Sequence, residues 1–271
     1  MLRQRTLTAL VLAPLAVAAV IWLPPAGMAV LSALVFLVGF DEWSRLAGFG
    51  GSATRALLAL LLAALLATLW HFGSTALWLG LAAIGAGWWL LSLLWLRHFS
   101  FAAAPTRENS GLKLVAGLLA HVPAWCALQW LVAHGSYGRW LLLALLIIWG
   151  ADTGAYFAGS HFGKRKLAPR VSPGKTWAGV VGALALSALV AAVGGWLLDA
   201  SAAGIAGLVL IALLTVVASI VGDLFESLLK RHAQVKDSGA LFPGHGGVLD
   251  RMDSVLAALP VFAACLALFG P

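Results

Sequence analysis

Apolar runs about as long as a membrane-spanning helix recur along almost the whole chain, near 7–23, 26–40, 56–72, 75–96, 112–133, 139–160, 176–198, 203–229 and 253–269. Crossing the hydrocarbon takes roughly 20 mostly apolar residues in a helix. Backbone that faces lipid must satisfy its own hydrogen bonds, so only helices and closed barrels span. The ten-residue alternation of a barrel strand is absent from this sequence. The expectation is therefore an all-α integral membrane protein, a polytopic bundle of about nine transmembrane helices. Only 10% of the residues are charged, against about a quarter in a soluble domain. The short second run is expected to pair with the first across Pro24-Pro25 as a broken or tilted hairpin. Arg3 and Arg5 precede an apolar core that leads straight into further apolar sequence, which favours an uncleaved first helix over a signal peptide. Cys126 and Cys265 lie in apolar runs and suggest neither a disulfide framework nor a zinc site. The tryptophans read mostly as interfacial anchors and lipid-facing bulk.

A net charge of +7 raises the question of nucleic acid, but its distribution answers otherwise. With nine helices and the N-terminus inside, sixteen of the 17 basic residues fall on the cytoplasmic side and only Arg139 falls outside. That asymmetry is the positive-inside signal of a membrane protein. It also suits anionic lipid or a phosphate-bearing substrate at the inner face. The acids follow the same bias, with Asp199 alone outside, although topology does not require it. Both signs of charge gathered at one face point to a site. The chain is expected to form one polytopic membrane domain, with 1–135 mainly scaffold and 139–271 carrying the catalytic helices and loops.

Three blocks hold the chemistry. In VGDLFESLLKR (221–231), Asp223, Glu226 or Ser227, and Lys230 share one helix face. A lone carboxylate at mid-membrane costs about 3 kcal/mol on insertion scales. Asp223 thus either has a cation, hydrogen-bonded partner or water, or sits where the helix has already reached the cytoplasm. The segment SLLKRHAQVKDSGALFPGHGGVLDRMDS (227–254) is a loop by its glycines and Pro243, ending where Asp250 to Ser254 start the last helix. Its glycines, including Gly246 and Gly247, let backbone N–H groups approach phosphate. Lys230, Arg231, Lys236 and Arg251 surround it with positive charge. Two carboxylates with phosphate oxygens make a typical Mg²⁺ site, and Asp223 with Asp250 is the pair expected to hold it. Helix capping better explains Asp253. His245 is either a base or phosphate donor, or a loop histidine bonded to backbone.

The third block, WGADTGAYFAGSHFGKRKLAPRVSPGKTWAG (149–179), places Asp152 and Tyr156 one helical turn apart. SPGKT looks like the end of a phosphate-binding loop, but that pattern needs glycine where Pro169 stands and a preceding strand, which is not expected here. What remains is Ser172-Pro173 ahead of a helix whose first turn holds Gly174, Lys175 and Thr176. Such a terminus can bind phosphate, or can be a well-capped helix with a snorkelling lysine.

Ser227-Leu-Leu-Lys-Arg, Lys236-Asp237-Ser-Gly and Pro243-Gly-His-Gly-Gly-Val-Leu-Asp-Arg-Met-Asp253 together resemble the signature of the phosphatidate cytidylyltransferases. The 149–179 block, GDLFES and EWSRL extend the resemblance over most of the chain. It implies that CTP and phosphatidate give CDP-diacylglycerol and pyrophosphate at the cytoplasmic face of the bacterial inner membrane. It implies Mg²⁺ dependence with K⁺ as a second cation, and a homodimeric helical bundle. The family's metal-site aspartates match Asp223 and Asp250, and Asp152 is expected to order the site beside the second cation. The chain departs from many members at Ala178, where they carry an acid. The alternative classes are a transporter of an anionic or phosphorylated lipid, or another lipid-head-group enzyme such as a polyprenol kinase. Transport predicts polar residues reaching both faces, and the outer half here is almost bare.

Overall fold

The computed structural model describes residues 13–134, 138–241 and 246–270. Arg3, Arg5 and the start of the first apolar run lie outside the described residues, as do Pro243 and His245. Helix α1 (Ala13–Trp22) stops at Pro24, whose missing N–H and fixed φ break the helix. The chain resumes at once in α2 (Pro25–Leu46), then α3 (Ser52–Phe72), α4 (Thr75–Arg97), α5 (Arg107–Ala133) and α6 (Arg139–Phe162). A short hairpin, β1 (Lys166–Ala168) and β2 (Ser172–Thr176), leads into α7 (Trp177–Leu197), α8 (Ala202–His232) and α9 (Leu249–Phe269). The eight helices α2–α9 are long and apolar enough to cross a membrane, so the polytopic all-α expectation holds.

Three boundaries differ from the sequence reading. The second run is not short: α2 continues through Asp41-Glu42-Trp43-Ser44 to Leu46. The polar residues stay helical because Trp43 and Glu42 find partners on other elements. The last helix begins at Leu249, just ahead of the Asp250–Ser254 start expected. Residues 172–176 form a strand and not a first helical turn, pairing antiparallel with β1 through Lys166 opposite Thr176 and Ala168 opposite Ser172. Thr176 is instead the N-cap of α7, its hydroxyl accepting the Gly179 N–H at 3.1 Å.

Helices α8 and α9 pack together at the centre, with α4 and α5 against α9 and with α6 and α7 completing the other side; α3 is the most lipid-exposed. Phe225 of α8 is fully enclosed. It stacks on Trp43 at 6.0 Å and takes edge contacts from Trp88, Trp89 and Trp95. Six tryptophans (Trp43, Trp78, Trp89, Trp95, Trp125 and Trp130) are therefore core residues, which corrects their reading as lipid-facing bulk. The physical reason is that several indole N–H groups find backbone carbonyls inside the protein: Trp43 on Lys113 at 2.8 Å, Trp89 on Leu256 at 3.0 Å.

The α6–α7 pair sets one wall of the site. Gly154 and Gly182 face each other so closely that a Cβ at either would overlap the other's carbonyl, and Ser187 donates to the Ile147 carbonyl at 2.9 Å. Substituting Gly182→Val is expected to push α7 off α6 and to cost about 1–3 kcal/mol, read as a lower unfolding temperature of the detergent-purified protein.

Candidate active site

Helix α8 has 31 residues, or about 46 Å against a hydrocarbon thickness of about 30 Å. It is long enough to extend past the apolar layer, and its last turns carry Asp223, Glu226 and Lys230. At this level α6, α7, α8 and β2 enclose a cavity of about 350 Å³, within the range of small-ligand sites. Ala151, Ala155, Val180 and Ala183 give it an apolar side, while Asp152, Lys175, Thr176 and Asp223 give it a polar end. Tyr156, one turn from Asp152, also lines it. Lys175 Nζ lies 2.6 Å from Asp223 Oδ2, so β2 meets α8 through an ion pair. The Ser227 hydroxyl reaches Asp223 Oδ1 only at a long 3.4 Å.

Beside the cavity, Lys230 stands between two carboxylates, 2.6 Å from Glu226 Oε2 and 2.7 Å from Asp250 Oδ1. The three side chains are 13%, 1% and 7% exposed, so little water screens the attraction. Asp250 Oδ2 accepts the N–H groups of Ser238 at 2.9 Å and Gly247 at 2.8 Å, and the Ser238 hydroxyl at 2.8 Å. Ser238 and Gly247 are thereby both held on Asp250.

Asp152, Lys175, Thr176 and Asp223 meet at the cavity, and Lys230, Asp250 and Gly247 form the adjoining cluster. Gly246 adopts φ +80°, a backbone conformation that suits glycine. Arg231 turns the other way, its Nε donating to the Val171 carbonyl at 3.2 Å and tying α8 to the hairpin. Ser172 lies in β2. Lys236 and Arg251 are exposed, and Arg251 acts electrostatically on Asp152. His245 lies outside the described residues. Ala178 falls in the first turn of α7.

One assignment changes. Asp253 does not cap α9: it lies a turn inside the helix, where its Oδ1 accepts the Ser254 N–H at 2.7 Å. Glu226, on the helix face it shares with Asp223 and Lys230, is fully buried. The i, i+4 spacing to Lys230 signalled the pair; only tertiary packing could show that it is enclosed. A strand, β1, does precede SPGKT, but the segment is itself strand β2 and not a loop, and Pro169 still breaks the glycine pattern.

Five carboxylates (Asp152, Asp223, Glu226, Asp250 and Asp253) thus gather around two lysines, Lys175 and Lys230. An anionic ligand entering such an acid excess needs further positive charge. Among the described residues, no three His, Cys, Asp or Glu side chains converge to hold an ion unaided. Hard carboxylate oxygens at the cavity do suit a divalent ion that takes one or two protein ligands and completes its shell with water and phosphate oxygens.

Comparison with known proteins gives these groups a context. The chain is 44% identical to a Pseudomonas aeruginosa protein named phosphatidate cytidylyltransferase, over 98% of this chain and 97% of that one. It is 36% identical to the Haemophilus influenzae protein of that name, over 97% and 98% of the two chains. A Bacillus subtilis protein of the same name matches at 45% over about half of each chain, 49% and 50%. The family model described as "Cytidylyltransferase family" matches residues 3–269, the span that contains every element of the cavity and the Lys230 cluster: the chain belongs to the cytidylyltransferase family.

Proposed function

We propose that this protein transfers CMP from CTP to phosphatidate, giving CDP-diacylglycerol and pyrophosphate, as the names of its full-length relatives suggest. The observation that carries the reading is the cavity itself. It joins an apolar wall of α6 and α7 to a lysine–aspartate end. A lipid phosphate needs both at once, and a soluble anion needs only the second. In the reaction a phosphatidate oxygen bonds to the α-phosphorus of CTP, the α–β bridging bond breaks, and its electron pair leaves on pyrophosphate. The nucleophile is already anionic, so no strong base is needed. Alignment and charge neutralisation are the main tasks.

Lys175 is placed to meet a phosphate entering beside Asp223, and Thr176 holds the start of α7 behind it. Lys230 orients Asp250 and Glu226. Arg231 ties the hairpin to α8, while Arg251 and Lys236 offer positive charge at the exposed rim; Gly246 and Gly247 would approach phosphate through their backbone, and His245 would contact phosphate or cytidine. Asp223 and Asp250 would hold Mg²⁺, with K⁺ near Asp152; Asp250 gives an oxygen to an ion only when Lys230 yields it. When bound, Mg²⁺ would neutralise phosphate charge and steady the leaving group. The gathering of basic residues at one end supports a cytoplasmic-facing site in the bacterial inner membrane. A homodimer rests on the family resemblance.

Purified protein in detergent with phosphatidate, CTP and Mg²⁺ is expected to release pyrophosphate and form CDP-diacylglycerol. Chelation should stop it and added Mg²⁺ restore it. Asp223→Asn and Asp250→Asn should each lower kcat by at least about 100-fold. Full activity in both variants would remove the metal assignment, and an inactive wild type in lipid-supplemented detergent would favour lipid transport.

Lys230→Met is expected to cost about 3–5 kcal/mol of stability, because it leaves Glu226 and Asp250 buried without their cation. Adding Glu226→Gln should recover part of the unfolding temperature but none of the activity. Recovery of both would make Lys230 a stability element only.

A further inference from the structure

Glu42, in the last turn of α2, is only 3% exposed. Its carboxylate reaches the α8–α9 loop, up to 207 positions away in sequence. Oε2 accepts the Leu249 N–H at 2.8 Å and the Ser238 hydroxyl at 2.8 Å, and Oε1 accepts the Val248 N–H at 3.2 Å. Val248 is the N-cap of α9 and has no capping side chain of its own. Glu42 therefore supplies from another helix the acceptor that the free N–H groups at a helix start require. Two glycines make room for it, since a Cβ at Gly239 or Gly247 would overlap the Glu42 carboxylate. The next residue, Trp43, is anchored on the Lys113 carbonyl and stacked on Phe225, so the approach of Glu42 is set by the packing of α5 and α8.

The same loop presents Asp250. Ser238 belongs to both sets of bonds: its N–H goes to Asp250, and its hydroxyl lies 2.8 Å from Glu42 Oε2 and 2.8 Å from Asp250 Oδ2. A hydroxyl has one proton to donate, so the positions of the two carboxylates are coupled through it.

We propose that Glu42 is a positioning residue for cytidylyl transfer: it latches Ser238 to the start of α9 at Val248 and Leu249 and thereby fixes the Asp250 carboxylate against Lys230. The inference rests on the reading that places Asp250 in the reaction. A plain helix cap would protect only the N–H groups that Glu42 itself receives. A latch also orders those that Asp250 receives.

The test compares wild type with Glu42→Gln, which keeps the shape but leaves one acceptor oxygen for three donors. Amide hydrogen exchange over 246–250 and over 237–241 is measured, with kcat and both KM values. The latch predicts faster exchange in both segments, since the Ser238 N–H bonds Asp250 and not Glu42. It also predicts a kcat lower by about tenfold to a hundredfold, as expected of a misplaced group, with each KM within about twofold. Unchanged exchange over 237–241, or a wild-type kcat, would overturn it. Should Glu42→Gln fail to fold, Ser238→Ala removes the coupling hydroxyl and spares the cap; a similar fall in kcat supports the latch, and a wild-type kcat sinks it. If Asp250→Asn proves fully active, the proposed reaction role of Asp250 falls, while the exchange data still decide whether the latch exists.

Discussion

The ammonium of Lys230 between Glu226 and Asp250 is the contact on which the polar end of this bundle depends. Taking a carboxylate out of water costs several kcal/mol unless it is paired and hydrogen-bonded. Glu226 gets little more than the lysine: its Oε1 has no partner among the described residues. Asp250 gets the lysine, two backbone N–H groups and a hydroxyl. The single cation joins α8 to α9 through Glu226 and Asp250. The second ion pair, Lys175 with Asp223, does the same for β2 and α8. Opposite charges thus hold the site's elements together, and the surplus of acids leaves the site open to added cations.

Such an ionic cluster is tolerable only at a fixed depth, and aromatic packing sets that depth. Phe225 lies between Asp223 and Glu226 in sequence but points into the tryptophan cluster of α2 and α4, while the acids face the cavity and Lys230. One turn of α8 therefore carries an anchor on one side and chemistry on the other. The extra length of α8 places that turn near the edge of the apolar layer, where apolar chains and charged head groups meet. The α6–α7 glycine contact holds together two of the helices that line the cavity.

The apolar runs made the helical bundle legible, because lipid leaves the backbone few choices. The charged blocks likewise announced where the chemistry lies. What stayed hidden depends on tertiary partners. Glu42 falls just outside the apolar run 26–40, and nothing local says that donors on Ser238, Val248 and Leu249 await it. The buried tryptophans read as lipid anchors because the carbonyls they bond belong to other segments. Residues 172–176 read as a helix start because a five-residue strand paired to a three-residue one leaves no periodicity to detect. Asp253 reads as a cap because the true start of α9 is supported by Glu42 and Asp250, and an acid at a helix start is usually the cap.

The glycines between α8 and α9 show how one sequence signal can have more than one cause. Read alone, a glycine-rich loop among lysines suggests backbone bared for phosphate. In the folded chain Gly246 is needed for its positive φ, and Gly239 and Gly247 are needed because Glu42 occupies the space a Cβ would fill. Gly239, Gly246 and Gly247 thus each have a reason in the fold itself, set by Glu42 and by backbone conformation, beside any part they take in approaching a nucleotide.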